Sequence, residues 1–265
     1  MSKHKKNTIP TEKHLNPPET LDEHIFFGIV PDEEQRHFRQ CIWSDDYDVI
    51  FCDAMAGTGK TLISVATAML LKKYKQYDGI VYIVSPTQEE RLGYLPGDPD
   101  QKVAPYMAPI MKALTKLGED PTRLINQIDI QNLKEGTSYI DCVPHTYLRG
   151  DNFENKIIII DEAQNVYLDD LRKVLTRPVD NCKVIVIGHV GQCDLYKNPV
   201  RSGFNFYKEW YRNMPRAVVC ELHTNHRGWI STHADKLDVV ALCEYLDKNR
   251  NKSIKDIDLK DFEIK

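Results

Sequence analysis

Residues Val49-Ile50-Phe51-Cys52-Asp53-Ala54-Met55-Ala56-Gly57-Thr58-Gly59-Lys60-Thr61 run from an apolar tetrad into a loop of small residues that closes on Lys-Thr. Val49 to Cys52 reads as a strand. Beyond the loop, Leu62, Val65, Ala66, Met69 and Leu70 fall at i, i+3, i+4, i+7 and i+8, the spacing of an amphipathic helix. Strand, small-residue loop, Lys-Thr and helix are the parts of a phosphate-binding loop. Small residues let successive backbone N–H groups turn onto phosphate oxygens, and the helix presents its positive end to the anion. The pattern G-x-x-x-x-G-K-[ST] assigns Ala56, Gly57, Thr58, Gly59, Lys60 and Thr61 to the phosphates, with Lys60 at the β- and γ-positions and the Thr61 hydroxyl on Mg²⁺. Its usual first glycine is Ala54 here, which would carry strain if that position had positive φ.

Other short apolar runs alternate with helical patterns. Ile80 to Val84, Ile157 to Ile160, Val184 to Ile187 and Ala217 to Cys220 read as strands, and helices are expected over 101–118, 168–176, 202–213 and 234–248. Continuous rather than alternating apolar runs suit strands buried on both faces of a parallel sheet. The expected fold is therefore α/β, a doubly wound, mostly parallel sheet in one domain over residues 22–246. Residues 1–21 read as a disordered tail and 247–265 as a charged tail or short helix.

Composition narrows the class. The chain has 265 residues with 35 Lys+Arg against 39 Asp+Glu, so a mild net charge of −4 exerts no global attraction for nucleic acid. No apolar run approaches the ~18 residues of a membrane helix, so no membrane partner is expected. The seven cysteines are odd in number, scattered and without a C-x-x-C pair, which suits reduced thiols in a cytoplasm.

A second constellation lies at Ile157-Ile158-Ile159-Ile160-Asp161-Glu162-Ala163-Gln164. A buried strand ending in two acids puts carboxylates at the carboxyl edge of the sheet, where open α/β sheets bind ligands. Asp161 is suited to hold Mg²⁺ and Glu162 to polarise the attacking water. Gln164 could read the γ-phosphate or relay to a partner, and Gln192, after the Val184–Ile187 strand, could hydrogen-bond the γ-phosphate. Gln35 could read an adenine edge with its amide.

These residues resemble the PhoH family. The resemblance is carried by the phosphate loop, Arg91-Leu92-Gly93-Tyr94-Leu95-Pro96-Gly97-Asp98, Lys102 to Tyr106 with Pro109, Tyr147-Leu148-Arg149-Gly150, Ile160 to Asn165, Leu175-Thr176-Arg177, Gly188-x-x-x-Gln192-x-Asp194-Leu195 and Ser202-Gly203, across about residues 35 to 230. The short, compact variants of phage look most like it. The resemblance implies a single RecA-like P-loop NTPase domain related to superfamily 1 helicases. It also implies ATP and Mg²⁺ as cofactors, hydrolysis coupled in some members to RNA unwinding, and a homo-oligomeric ring, with a hexamer as one such assembly. The chain departs from the family at Ala54, at Asp151-Asn152 after Gly150, and at His189, where the family has Asp.

Transition-state charge calls for an arginine, often from a neighbouring subunit. Arg177 and Arg227, with Arg149, are the candidates. A single such domain lacks the second wall that superfamily 1 helicases close on ATP, so a motor built from it needs a second copy to supply that wall, and a homo-oligomer is expected. His223-Thr224-Asn225-His226-Arg227-Gly228-Trp229 combines donors, a cation and a stacking ring suited to single-stranded RNA or DNA, and Lys72, Lys73, Lys75 and Lys197 to Arg201 are further basic spots. His223, His226 and His233 with Cys193 and His189 lack compact four-ligand spacing and the chain has no C-x-x-C pair, so no stoichiometric zinc is expected in the protein. The alternatives are a small P-loop kinase and a nucleotide-gated binding protein with little turnover. Neither Asn155-Lys156 nor Asn251-Lys252 continues into Asn-Lys-x-Asp, which argues against a GTPase. The histidine at 189 predicts that hydrolysis changes with pH. A rate profile that is flat over roughly pH 5.5 to 8 contradicts a titrating role for it.

Overall fold

The computed structural model describes residues 16–84, 107–128, 130–145, 152–192, 202–249, 253, 255 and 257–263. Six strands, β1 Val49–Ala54, β2 Gly79–Val84, β3 Ile140–Pro144, β4 Lys156–Asp161, β5 Lys183–Gly188 and β6 Ala217–Leu222, form one sheet in the order β3-β2-β4-β5-β1-β6. Every pairing is parallel. The expected α/β doubly wound sheet is thus observed, and all five strands read from apolar runs lie in it.

Both faces are covered, which explains why the central strands read as continuous apolar runs. Ile50, Cys52, Ile80, Tyr82, Ile157, Ile159, Ile185 and Ile187 face one core, shared with α1 Glu33–Trp43, α2 Lys60–Lys75 and α3 Ala108–Lys116. Phe51, Val81, Ile83, Ile158, Ile160, Val184 and Val186 face the other. Short helices α4 Pro121–Leu124 and α5 Ile130–Glu135 lead into β3. The helices of the second face are α6 Leu168–Leu175 and α7 Gly203–Tyr211, which contribute Leu171, Val174 and Phe204.

The expected helices at 168–176 and 202–213 correspond to α6 and α7. Of the expected helix at 101–118, the described part is α3. The expected helix at 234–248 is instead two, α8 Trp229–Asp235 and α9 Val239–Lys248. Asp238 separates them, and its side chain accepts from Ala241 N at 2.9 Å, capping α9. At the ends of the expected domain, Leu21 is buried in the first core. A single turn at Leu259–Phe262 lies against α9, where Phe262 meets Tyr245 edge-on at 5.4 Å and its carbonyl accepts from Asp238 N at 2.7 Å. The six described cysteines are free thiols. Among the described residues no helix is long and apolar enough to cross a membrane.

Two functionally placed elements escape the apolar pattern. Helix α1 buries Gln35 and Arg39 beside Phe38, Cys41 and Ile42, so two of the five residues on its inward face are polar. Strand β3 is a five-residue edge strand whose Ile140, Cys142 and Pro144 are buried in alternation. A terminal proline is tolerated there because an edge strand has an unpaired side.

Phe204 is fully buried with its ring centroid 6.0 Å from that of Phe51. Phe204→Ala should cost about 3–5 kcal/mol through lost transfer energy and a cavity. Urea unfolding would register this as a lower midpoint at unchanged slope, and a midpoint equal to wild type would contradict the packing described.

Candidate nucleotide site

Strand β5 lies between β1 and β4, so the loop after β1, the acids after β4 and the turn after β5 share one sheet edge. Helix α2 starts directly from the loop. Its N-cap is Gly59, with φ 82° and no side-chain cap, so the first-turn N–H groups remain available to an anion. Gly57 also has positive φ, 75°. A Cβ there would run into the Asn225 amide and lie 2.9 Å from Arg227 Cγ, so backbone conformation and space both require glycine. Ala54 is the last residue of β1, buried and paired with Leu222. Among the described residues, the non-glycine residues with positive φ are Phe27, Gln76, Asn155, Glu162 and Arg216, so replacing the first loop glycine with Ala54 carries no left-handed strain.

The loop is held from two sides. Gln35 Nε2 donates to Thr58 O at 2.8 Å, while its Oε1 accepts from Asp32 N at 3.2 Å. Both ends of the amide therefore bind protein, leaving one N–H hydrogen of Gln35 for the expected adenine contact. From the other side, His226 N donates to Gly57 O at 3.0 Å, and Thr58 Oγ1 donates to Met55 O at 2.9 Å within the loop.

Across the edge, Thr61 Oγ1 donates to Asp161 Oδ2 at 2.8 Å. The same oxygen accepts from Tyr82 OH at 2.5 Å, and Asp161 Oδ1 accepts from Glu162 N at 2.8 Å. Burial, followed by the neighbouring Glu162 charge, pushes the Asp161 carboxyl above the usual range despite these bonds. A nearby divalent cation would reverse that balance. Hydroxyl and carboxylate are hard oxygen donors, and the pair fits Mg²⁺.

Lys60 Nζ lies 3.3 Å from Glu162 Oε1. Glu162 sits at φ 51°, in the left-handed region. A non-glycine residue held there is strained, and such strain concentrates at functional positions. Gln164 Nε2 donates to Glu162 Oε2 at 2.6 Å and to Gln192 O at 3.3 Å, and its Oε1 accepts from His189 N at 3.1 Å. The buried amide of Gln164, expected at the phosphate, is thus engaged by protein at both ends and braces Glu162. Gln192 ends an exposed turn after β5 and meets this network through its backbone.

A charged cluster at this edge went unnoticed in the sequence. Asp53 Oδ2 accepts from Lys208 Nζ at 2.6 Å, and Asp53 Oδ1 faces His189 Nδ1 at 3.5 Å and accepts from Val190 N at 3.2 Å. Burial alone would raise the Asp53 carboxyl, but the His189 and Lys208 contacts outweigh it and hold it down at about 2. His189 is therefore paired within the fold. The signal for the cluster was an acid at the end of an apolar strand, obscured by Lys208 lying 155 residues away.

The structure separates the arginine candidates. Arg227 packs on Gly57 beside the loop. Arg177 follows α6, and its carbonyl accepts from Phe153 N just before β4, at the opposite edge of the sheet. A six-residue strand puts those edges roughly 20 Å apart. Arg149 and the Lys197–Arg201 stretch lie outside the described residues, as do Arg91–Asp98, Lys102–Tyr106 and Asp194-Leu195. Trp229 is 73% exposed and stacks on His233 with ring centroids 4.3 Å apart. His223 pairs with Glu34 at 3.1 Å, and His226 pairs with Asp32 at 2.8 Å. The three histidines weighed for zinc thus point to different partners. Lys72 lies over the Tyr139 ring and Lys75 pairs with Asp45 at 2.8 Å, so neither stands as open basic surface.

A parallel sheet carrying a phosphate loop and a buried aspartate two strands away defines a P-loop NTPase domain of RecA-like type. The model of the PhoH-like protein family matches residues 30–228, and the chain belongs to the PhoH family. It is 38% identical over 168 residues to Protein PhoH of Escherichia coli (strain K12), covering 63% of this chain and 45% of that one. It is 30% identical over 222 residues to Protein PhoH2 of Bacillus subtilis (strain 168), covering 82% and 49%. The chain spans about half the length of the curated relatives it matches. Among solved structures, a DEAD-box helicase Mss116 bound to ssRNA and UDP-BeF aligns at a TM-score of 0.40 with 15% identity, over 79% of this chain and 47% of that one.

Asp53 gives a pH prediction. Its folded value of about 2 lies below the unfolded carboxylate value, so its contribution is full above about pH 4 and is lost as pH falls toward 2. The shift is worth on the order of 2 kcal/mol. Asp53→Asn should be less stable at neutral pH, with Lys208 left buried, and its stability should fall less steeply below pH ~4. Chemical denaturation across that range checks this, and equal slopes for both proteins would contradict it.

Proposed function

We propose that this protein binds and hydrolyses ATP with Mg²⁺ and couples hydrolysis to remodelling of single-stranded RNA or DNA. The observation that carries this reading is the meeting of Lys60 and Thr61 from the start of α2 with Glu162 and Asp161 from the end of β4, at 3.3 and 2.8 Å. Backbone N–H groups of residues 56–61 would bind the phosphates, and Lys60 would leave Glu162 for the β- and γ-oxygens. Thr61 and Asp161 would hold the metal, which supplies positive charge where the transferring phosphoryl group develops negative charge. Glu162, freed from Lys60 and steered by Gln164, would accept the proton of the attacking water. Gln192 would complete the γ-phosphate contacts from the β5 side, and Gln35 would link the adenine side to Thr58.

Arg227, on the loop, would stabilise the transition state within the same subunit. Arg177, at the far edge, can serve only the site of another copy. This supports a homo-oligomer, with a ring as the arrangement that satisfies every subunit. Trp229 and Ile230, both strongly exposed, are separated from Arg227 by Gly228 alone, so a base stacked on Trp229 would sense the loop through Arg227. The described thiols are all free, in keeping with a cytoplasmic protein.

Phosphate release from Mg·ATP, measured with and without single-stranded RNA and DNA, tests the proposal. Wild type should turn over and be stimulated by one of the nucleic acids, Lys60→Ala should lose turnover, and Trp229→Ala should lose the stimulation while keeping the basal rate. A phosphorylated acceptor in place of free phosphate would indicate a kinase. ATP binding without turnover would indicate a nucleotide-gated binding protein.

A further inference from the structure

A second cluster of ligand-type side chains lies away from the phosphate loop. His37 and Cys41 are four residues apart on α1, and therefore on one face of it. That face packs against β6, where Cys220 points at the same spot. The imidazole nitrogen of His37 and the two sulfurs lie within 4.8 Å of one another, and His37 Nε2 is 3.6 Å from Cys41 Sγ.

We propose that His37, Cys41 and Cys220 form a binding site for one borderline-soft divalent cation of the Zn²⁺ class, held by one imidazole nitrogen and two thiolates with water in the fourth position. The dimensions fit: Zn–S of ~2.3 Å and Zn–N of ~2.0–2.1 Å at tetrahedral angles put sulfur and nitrogen about 3.6 Å apart. A cation entering the site displaces the thiol protons of Cys41 and Cys220 to solvent. Cys41 and Cys220 are buried, whereas His37 is exposed and marks the route of entry.

The site would join two elements that grip the phosphate loop. Helix α1 carries Gln35, bonded to Thr58, and Glu34, which accepts from His223 N at 2.7 Å and from Thr224 N at 3.2 Å. Strand β6 runs directly into the segment whose His226 N bonds Gly57 O. A cation shared by α1 and β6 would fix their spacing at the base of that grip.

The full chain, purified without a histidine tag, reduced and stripped of metal, should be titrated with Co²⁺. A near-ultraviolet thiolate-to-cobalt band should saturate at one equivalent, be removed by Zn²⁺ and resist Mg²⁺. Cys41→Ser should abolish the band. His37→Ala, at an exposed helix position that leaves the core intact, should weaken Co²⁺ binding by at least about tenfold. Zn²⁺ should raise the melting temperature of wild type and leave that of His37→Ala unchanged. The absence of a saturable thiolate band in wild type, or an undiminished band in Cys41→Ser or His37→Ala, overturns the proposal.

Discussion

A carboxylate that is 1% exposed must be satisfied by its neighbours, and Asp161 sets the terms for the rest of the site. Its partners come from three elements: Tyr82 from β2, Thr61 from α2 and the Glu162 backbone from the turn that follows. Those bonds fix where α2 begins relative to β4, and hence where Lys60 and the loop N–H groups point. The parallel sheet makes this arrangement possible, because all its strands deliver their carboxyl ends to one edge. Burial raises the Asp161 carboxyl above the usual range, a cost that positive charge arriving beside it would offset.

Around this centre, neighbouring residues constrain one another. Gln164 ties Glu162 to the turn after β5, and Asp53 ties that turn to α7 through Lys208. Gln35 and the segment from His223 to Arg227 enclose the loop from opposite sides. A change of position at Lys60 or Glu162 has direct routes to α1, α7 and the exposed Trp229. A switch driven by the γ-phosphate needs routes of this kind.

Most of the fold was legible because the four central strands are buried in the sheet and the chain marks each of them with a continuous apolar run. Val184 to Ile187 and Ile157 to Ile160 could hardly be anything else between helical patterns. Helix α1 was not legible, since Gln35 and Arg39 take buried positions that an apolar pattern would give to hydrophobic residues. With α1 unread, the i, i+4 relation of His37 and Cys41 was invisible, and so was their approach to Cys220. Strand β3 was missed because it is short, alternating and ends in proline. At the site, the residue types and spacing revealed the loop and the acids. The partners that tertiary structure supplies, Tyr82 for Asp161 and Lys208 for Asp53, leave no local trace. Gln164 is a further case: its bonds to Glu162, Gln192 and His189 come from tertiary structure and leave no trace in the local sequence.

In the proposed function, Thr61 and Asp161 form the metal-linked half of a nucleotide site whose other half is the loop backbone and Lys60. Calorimetric titration of ADP in the presence and absence of Mg²⁺ tests this most directly. Wild type should bind more tightly with Mg²⁺, whereas Thr61→Ala and Asp161→Asn should keep the metal-free affinity and lose the gain from Mg²⁺. An undiminished Mg²⁺ gain in both variants would contradict the account.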